Sequence, residues 1–202
     1  MTMTRQSEHP VHPQFVDRWS PRAFTGEAIG EGTLFSILEA ARWAPSAFNA
    51  QPWQFVYARR DTPVWTGFLD ALLPFNQAWA KQAGALLFIV SDPAPLKPGT
   101  SETLACTSHS FDTGAAWLSL ALQAHNFGWH SHAMLGFDDA KARALIGAEP
   151  RLRIEAAVAL GRQASPDTLP DNLRAREHPS TRKPLSEIAF EGALRRRHES
   201  PD

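Results

Sequence analysis

The chain has 202 residues, 43% of them hydrophobic and 20% charged, which describes one globular domain able to bury roughly 70% of its unfolded surface. Lysine and arginine total 20 against 21 aspartates and glutamates, so the net charge of −1 supplies no basic field for nucleic acid or an anionic membrane. A single cysteine, Cys106, excludes an intrachain disulfide, and no apolar run reaches the ~20 residues that cross a bilayer, so a cytoplasmic location is expected.

In chain order, residues 1–16 carry two His-Pro pairs and little apolar content, and read as an irregular arm. Residues 17–162 form the body. Leu34, Ile37, Leu38 and Ala41 fall at helical spacing and Pro45 forbids continuation, so a helix is expected over 32–44. Residues 53–58 are rich in β-favouring side chains, and Thr62-Pro63 then opens a helix to about 73. The unbroken apolar run 85–91 predicts a strand covered on both faces in the middle of a sheet. After a polar loop, 111–127 predicts a helix stopped at Gly128, 129–135 a strand, 138–146 a helix capped by Asp138 and stopped by Gly147, and 154–160 a strand. Residues 163–202 turn polar, with Pro166, Pro170, Pro179 and Pro184 but no periodicity, and make a C-terminal arm and tail of the same domain. A short helix is expected over 186–198, ending in a solvated basic run at Arg195, Arg196 and Arg197. This order predicts an α+β sandwich.

Nucleotide and hydrolase motifs are missing: Gly30 and Gly32 lack a third glycine and a preceding strand, and no G-K-[ST], G-x-S-x-G or H-E-x-x-H occurs. His130 and His132 alternate on a predicted strand, yet no carboxylate or second thiol stands at ligand spacing to join them with Cys106 or His109, so no metal is expected. Arg18, Ser20 and Arg22 stand at alternate positions, which in an extended segment face one side and could converge on an oxyanion; an exposed charged strand is the competing reading. The segment from Ala44 to Trp53 is a loop of small and amide residues between prolines beside an indole, suited to a flat heteroaromatic ligand, although helix termination also explains its prolines.

R-x-S-x-R from Arg18, A-P-S-x-x-N-x-Q-P-W from Ala44 and L-G-F-D from Leu135 together resemble the FMN-dependent nitroreductase family, over about residues 15–185. The resemblance implies an α+β fold with a central, mainly antiparallel sheet flanked by helices, in an intertwined homodimer with FMN at the interface. It implies that Arg18, Ser20 and Arg182 hold the phosphate, and that Arg22 and Asn76 face the pyrimidine edge of the flavin. Gly136, preceded by Leu135, would donate its N–H to flavin N5, and Pro45, Ser46 and Asn49 would reach the flavin of the other subunit. The C-terminal arm would pack on that subunit. Leu135 stands where the family often has an acidic residue, and Ser180 where a lysine is common. Trp79 would either lean over the flavin or pack between helix and sheet.

The activity so implied is hydride transfer from NAD(P)H through flavin N5 to a nitroaromatic, quinone or similar small electron-poor molecule by a ping-pong mechanism, with no catalytic side chain required. Reduction of a small activated carbonyl or enone compound, or flavin binding without turnover, are the alternatives.

Overall fold

The computed structural model describes residues 5–194. Helix α1 (Pro13–Asp17) interrupts the arm expected to be irregular, because Pro13 presets the first helical φ and His12 Nδ1 accepts the Gln14 N–H. Helix α2 (Glu31–Arg42) begins at Gly30, carries Glu31 in its first turn and Arg42 in its last, and buries Leu34, Ile37 and Ala41. Strand β1 (Trp53–Arg59) follows, then two helices where the sequence predicts one. Asp61 adopts φ 65° and Thr62 Oγ1 donates to Arg59 O, so Thr62-Pro63 makes a turn, and α3 is shortened to Trp65–Asp70. Pro74 then starts α4 (Pro74–Ala80), again as a first-turn proline.

Strand β2 (Ala85–Ser91), helix α5 (His109–Asn126), strand β3 (His130–Met134), helix α6 (Asp139–Ile146) and strand β4 (Arg153–Gly161) complete the body within a residue or two of expectation. Asp138 caps α6 by accepting the Lys141 N–H, and Gly147 ends it in the left-handed region at φ 66°. The sheet is four-stranded in the order β1-β2-β4-β3, and every pairing is antiparallel. All seven residues of β2 are buried, as the unbroken apolar run predicts.

Alternation along β2 divides the core. Leu86, Phe88 and Val90 face Phe68, Trp79 and the other apolar side chains of α3 and α4, while Ala85, Leu87 and Ile89 face α2 and α5. Trp79 is therefore a core residue, 1% exposed, its ring 6.2 Å from Phe24 and 4.8 Å from His132; of the two roles open to it, packing is the one realised.

The proline-rich segment acquires structure from its leucines. Ala164 N–H bonds to Ala23 O, a short 3-10 turn covers Pro166–Thr168, and α7 (Asp171–Arg174) places Leu173, with Leu169, in the core of the same chain. Beyond it a 3-10 turn at Leu185–Glu187 and irregular chain through residue 194 replace the expected helix, and its last residues, 195–198, with the basic run, lie outside the described residues.

Candidate functional site

The chain leaves α1 extended at Arg18, and Arg18, Ser20 and Arg22 all reach one cavity of about 390 Å³, as their alternate spacing suggests. Arg18 Nη1 donates to Ser20 Oγ at 3.4 Å. Arg182 enters the same cavity from the C-terminal arm, and Arg5 from the N-terminal arm. Among the described residues, Arg5, Arg18 and Arg182 form no salt bridge. Burial first, and then the charge of Arg182, lowers the proton affinity of Arg18; Arg5 is lowered by burial, then by Arg182, then by Arg18. The cavity is thus walled by concentrated positive charge with hydroxyl donors beside it, the donor set for an oxyanion such as a phosphomonoester.

Arg22 differs. Glu177, its side chain fully buried, accepts from Arg22 N at 2.6 Å and Ala23 N at 2.8 Å, and its second oxygen lies 3.9 Å from Arg22 Nη1. This carboxylate ties the C-terminal arm to the first motif and partly neutralises Arg22, whose buried Nε has no partner. Burial lowers the proton affinity of Arg22, Glu177 opposes that, and Arg176 adds to it. Underneath, His132 on β3 donates from Nδ1 to Pro21 O at 3.0 Å, which fixes the peptide between Ser20 and Arg22. Burial, then the charge of Arg22, pushes His132 down to about 4, so it is neutral at pH 7.

Asn76 and Gly136, sixty residues apart in sequence, are brought together: Asn76 Nδ2 donates to Gly136 O at 2.9 Å. The Gly136 segment is pinned to the α3–α4 connection by Leu73 N to Gly136 O, Asp138 N to Ala71 O and the Leu72–Phe137 bridge. A Cβ on Gly136 would lie 2.5 Å from Asn76 Nδ2, so the close approach of that amide requires glycine. No described residue accepts a bond from the Gly136 N–H. Leu135 is 81% exposed, with Leu73 and Phe75 also exposed nearby in sequence to Asn76.

Pro45, Ser46 and Asn49 do not line the cavity of the arginines. Their loop holds three non-glycine residues in the left-handed region, Phe48 at φ 52°, Asn49 at 53° and Gln51 at 46°. Two bonds over-determine it: Ser46 Oγ accepts the Gln51 N–H at 3.0 Å, and Asp112 in the first turn of α5 accepts the Ala47 N–H at 3.2 Å.

His109 bonds to Ser91, His130 lies against His125, and Cys106 is buried by Asp112; among the described residues no three His, Cys, Asp or Glu side chains gather as a metal site. Sequence reasoning missed Arg5, Glu177, His132 and Asp112 as parts of the site. Each acts through hydrogen bonds to backbone groups of other segments, and periodicity carries no signal of such bonds.

Residues 16–64 match the sequence model of the Nitroreductase family. A crystal structure of an oxidoreductase containing FMN is 46% identical, with a TM-score of 0.90, covering 95% of this chain and 96% of that one. A structure from Desulfovibrio desulfuricans solved in complex with FMN is 27% identical, with a TM-score of 0.67, over 94% of this chain and 100% of that one. An NADH dehydrogenase of Thermus thermophilus is 29% identical over 87% of this chain and 92% of its own length.

Proposed function

The chain belongs to the nitroreductase family, and we propose that it binds FMN and passes hydride from NAD(P)H to a nitroaromatic, quinone or similar electron-poor acceptor in ping-pong order. The observation that carries this reading is the convergence of Arg18, Ser20 and Arg182 on one cavity, where the Arg18 and Arg182 guanidinium groups have no carboxylate partner among the described residues. The residues present fit the cofactor: a dianionic phosphate would neutralise charges that are otherwise packed together. When bound, FMN supplies a flavin whose N5 exchanges hydride in a two-electron step.

The chain's own groups bind and orient. Arg18 and Arg182 take the phosphate with the Ser20 hydroxyl, and Arg22, steadied by Glu177, offers a fixed cation to the electron-rich edge of the ring system. Asn76 keeps a side-chain oxygen and one N–H for that edge after its bond to Gly136, whose own N–H is free to donate toward N5. Leu135 presents an apolar surface next to that donor, which favours uncharged acceptors over anionic ones.

A second copy of the chain completes the site in this reading. Pro45, Ser46 and Asn49 sit on a rigid loop beside exposed Trp43 (74%), Phe48 (88%) and Phe111 (82%), an apolar surface suited to burial in a homodimer. Exposed Leu185 and Ile188 give the far end of the C-terminal arm a matching use on the partner subunit.

Purified protein should be yellow, release FMN on denaturation, and bleach within seconds when NADH or NADPH is added without oxygen. Flavin that stays oxidised with both donors would overturn the turnover part. Arg18→Ala should purify without cofactor, and full occupancy in that variant would overturn the phosphate assignment. A monomer by light scattering would overturn the shared site.

A further inference from the structure

Three segments far apart in sequence meet at one guanidinium. Arg5 Nε donates to Ser180 O at 2.9 Å, and its Nη1 donates to Val16 O and to Arg18 O, each at 2.9 Å. The N-terminal arm, the start of the R-x-S-x-R segment and the C-terminal arm are thereby joined. A second tie runs between the same arms, where the Glu8 carboxylate accepts the Leu185 N–H at 3.2 Å.

A guanidinium has five N–H donors, of which these bonds use three. The two on Nη2 have no partner among the described residues, and Arg5 borders the cavity beside Arg18 and Arg182. Stapling carbonyl oxygens needs donors but no charge. A cation held in this position, its own hold on its proton weakened by burial and by the charges of Arg182 and Arg18, is unfavourable until an anion arrives. The carbonyl bonds fix the orientation of Arg5, and the leftover donors with the unneutralised charge give it a ligand to hold.

We propose that Arg5 is a further guanidinium of the phosphate site, so that the N-terminal arm is a strap closing over the anionic end of the bound mononucleotide. This rests on the FMN reading above for the identity of the ligand, and it assigns a binding role to a residue outside the R-x-S-x-R segment and the C-terminal arginine.

The test compares FMN with riboflavin, which lacks the phosphate, in titrations of full-length apo-protein followed by flavin fluorescence. Arg5→Ala should weaken FMN binding about tenfold to a hundredfold while changing riboflavin binding less than about twofold. Arg5→Gln retains amide donors for the carbonyl oxygens without the charge, and should lose FMN affinity in the same way; Arg5→Lys should recover part of it. Inorganic phosphate alone should raise the melting temperature of the wild-type apo-protein, and raise that of Arg5→Gln less. Equal weakening of FMN and riboflavin, or an Arg5→Gln protein with wild-type preference for FMN, would reduce Arg5 to a staple and overturn the proposal. Wild-type protein that binds neither flavin would instead overturn the FMN reading, a result distinct from loss of phosphate preference in the variants.

Discussion

Replacing Glu177 by alanine should unhook the C-terminal arm and cost the fold several kcal/mol. Its Oε1 accepts two backbone N–H groups, from Arg22 at 2.6 Å and Ala23 at 2.8 Å, and the side chain is sealed from solvent. Bonds to a charged acceptor contribute about 1.5–3 kcal/mol each, and truncation leaves two buried donors unsatisfied. Oε2 makes no hydrogen bond and sits 3.9 Å from Arg22 Nη1, so its removal subtracts little. The expected loss is about 3–5 kcal/mol, which for a chain of this size lowers the melting temperature by roughly 6–20 °C. Glu177→Gln retains an oxygen for the same two donors and should cost only about 1–2 kcal/mol. Urea unfolding of the apo-proteins measures both. An alanine variant within about 1 kcal/mol of wild type would refute the claim that this carboxylate holds the arm.

Gly136→Ala should push the Asn76 amide off Gly136 O, because the new Cβ would lie 2.5 Å from Nδ2; a loss of about 1–3 kcal/mol is expected, and in an Asn76→Ala background the same change should be nearly neutral by double-mutant cycle. His130 and His132 are both held down to about 4 in the folded chain, while unfolded histidines titrate near 6.5. The unfolded state therefore binds more protons between those values, so stability is complete above pH 6.5 and is lost as pH falls toward 4. His132 accounts for on the order of 2–3 kcal/mol of this, and the slope of unfolding free energy against pH should be shallower by up to one proton in His132→Asn; an unchanged slope would refute the assignment.

The sheet and the long helices were legible because burial there repeats. The run 85–91 alternates between two cores and needs no distant information to be recognised as a central strand, and Asp138 with Gly147 marks both ends of α6 by local backbone chemistry. Short helices were less legible. In α4 the signal was present in Pro74, but its buried apolar residues, Trp79 and Ala80, are adjacent and make no periodic stripe. The segment after Gly161 carried only isolated leucines, and whether Leu169 and Leu173 find a core depends on the surface left open beside Ala23 and Phe24.

The candidate site divides along the same line. Arg18, Ser20 and Arg22 could be grouped from sequence because an extended segment has a period of two, and they do share a cavity. Arg5, Glu177 and His132 act on that segment through Arg18 O, the Arg22 and Ala23 N–H groups and Pro21 O, bonds between elements as much as 155 residues apart for Glu177. A cavity built this way is tied to the ordering of both arms. Any anion gripped by Arg5, Arg18 and Arg182 together crosslinks the two ends of the chain through their charges, so ligand affinity and arm docking are coupled by the same free energy. Weakening the arm contacts at Glu177 should therefore lower affinity for a phosphate-bearing ligand without altering a group that touches it, and saturating ligand should restore part of the stability lost there.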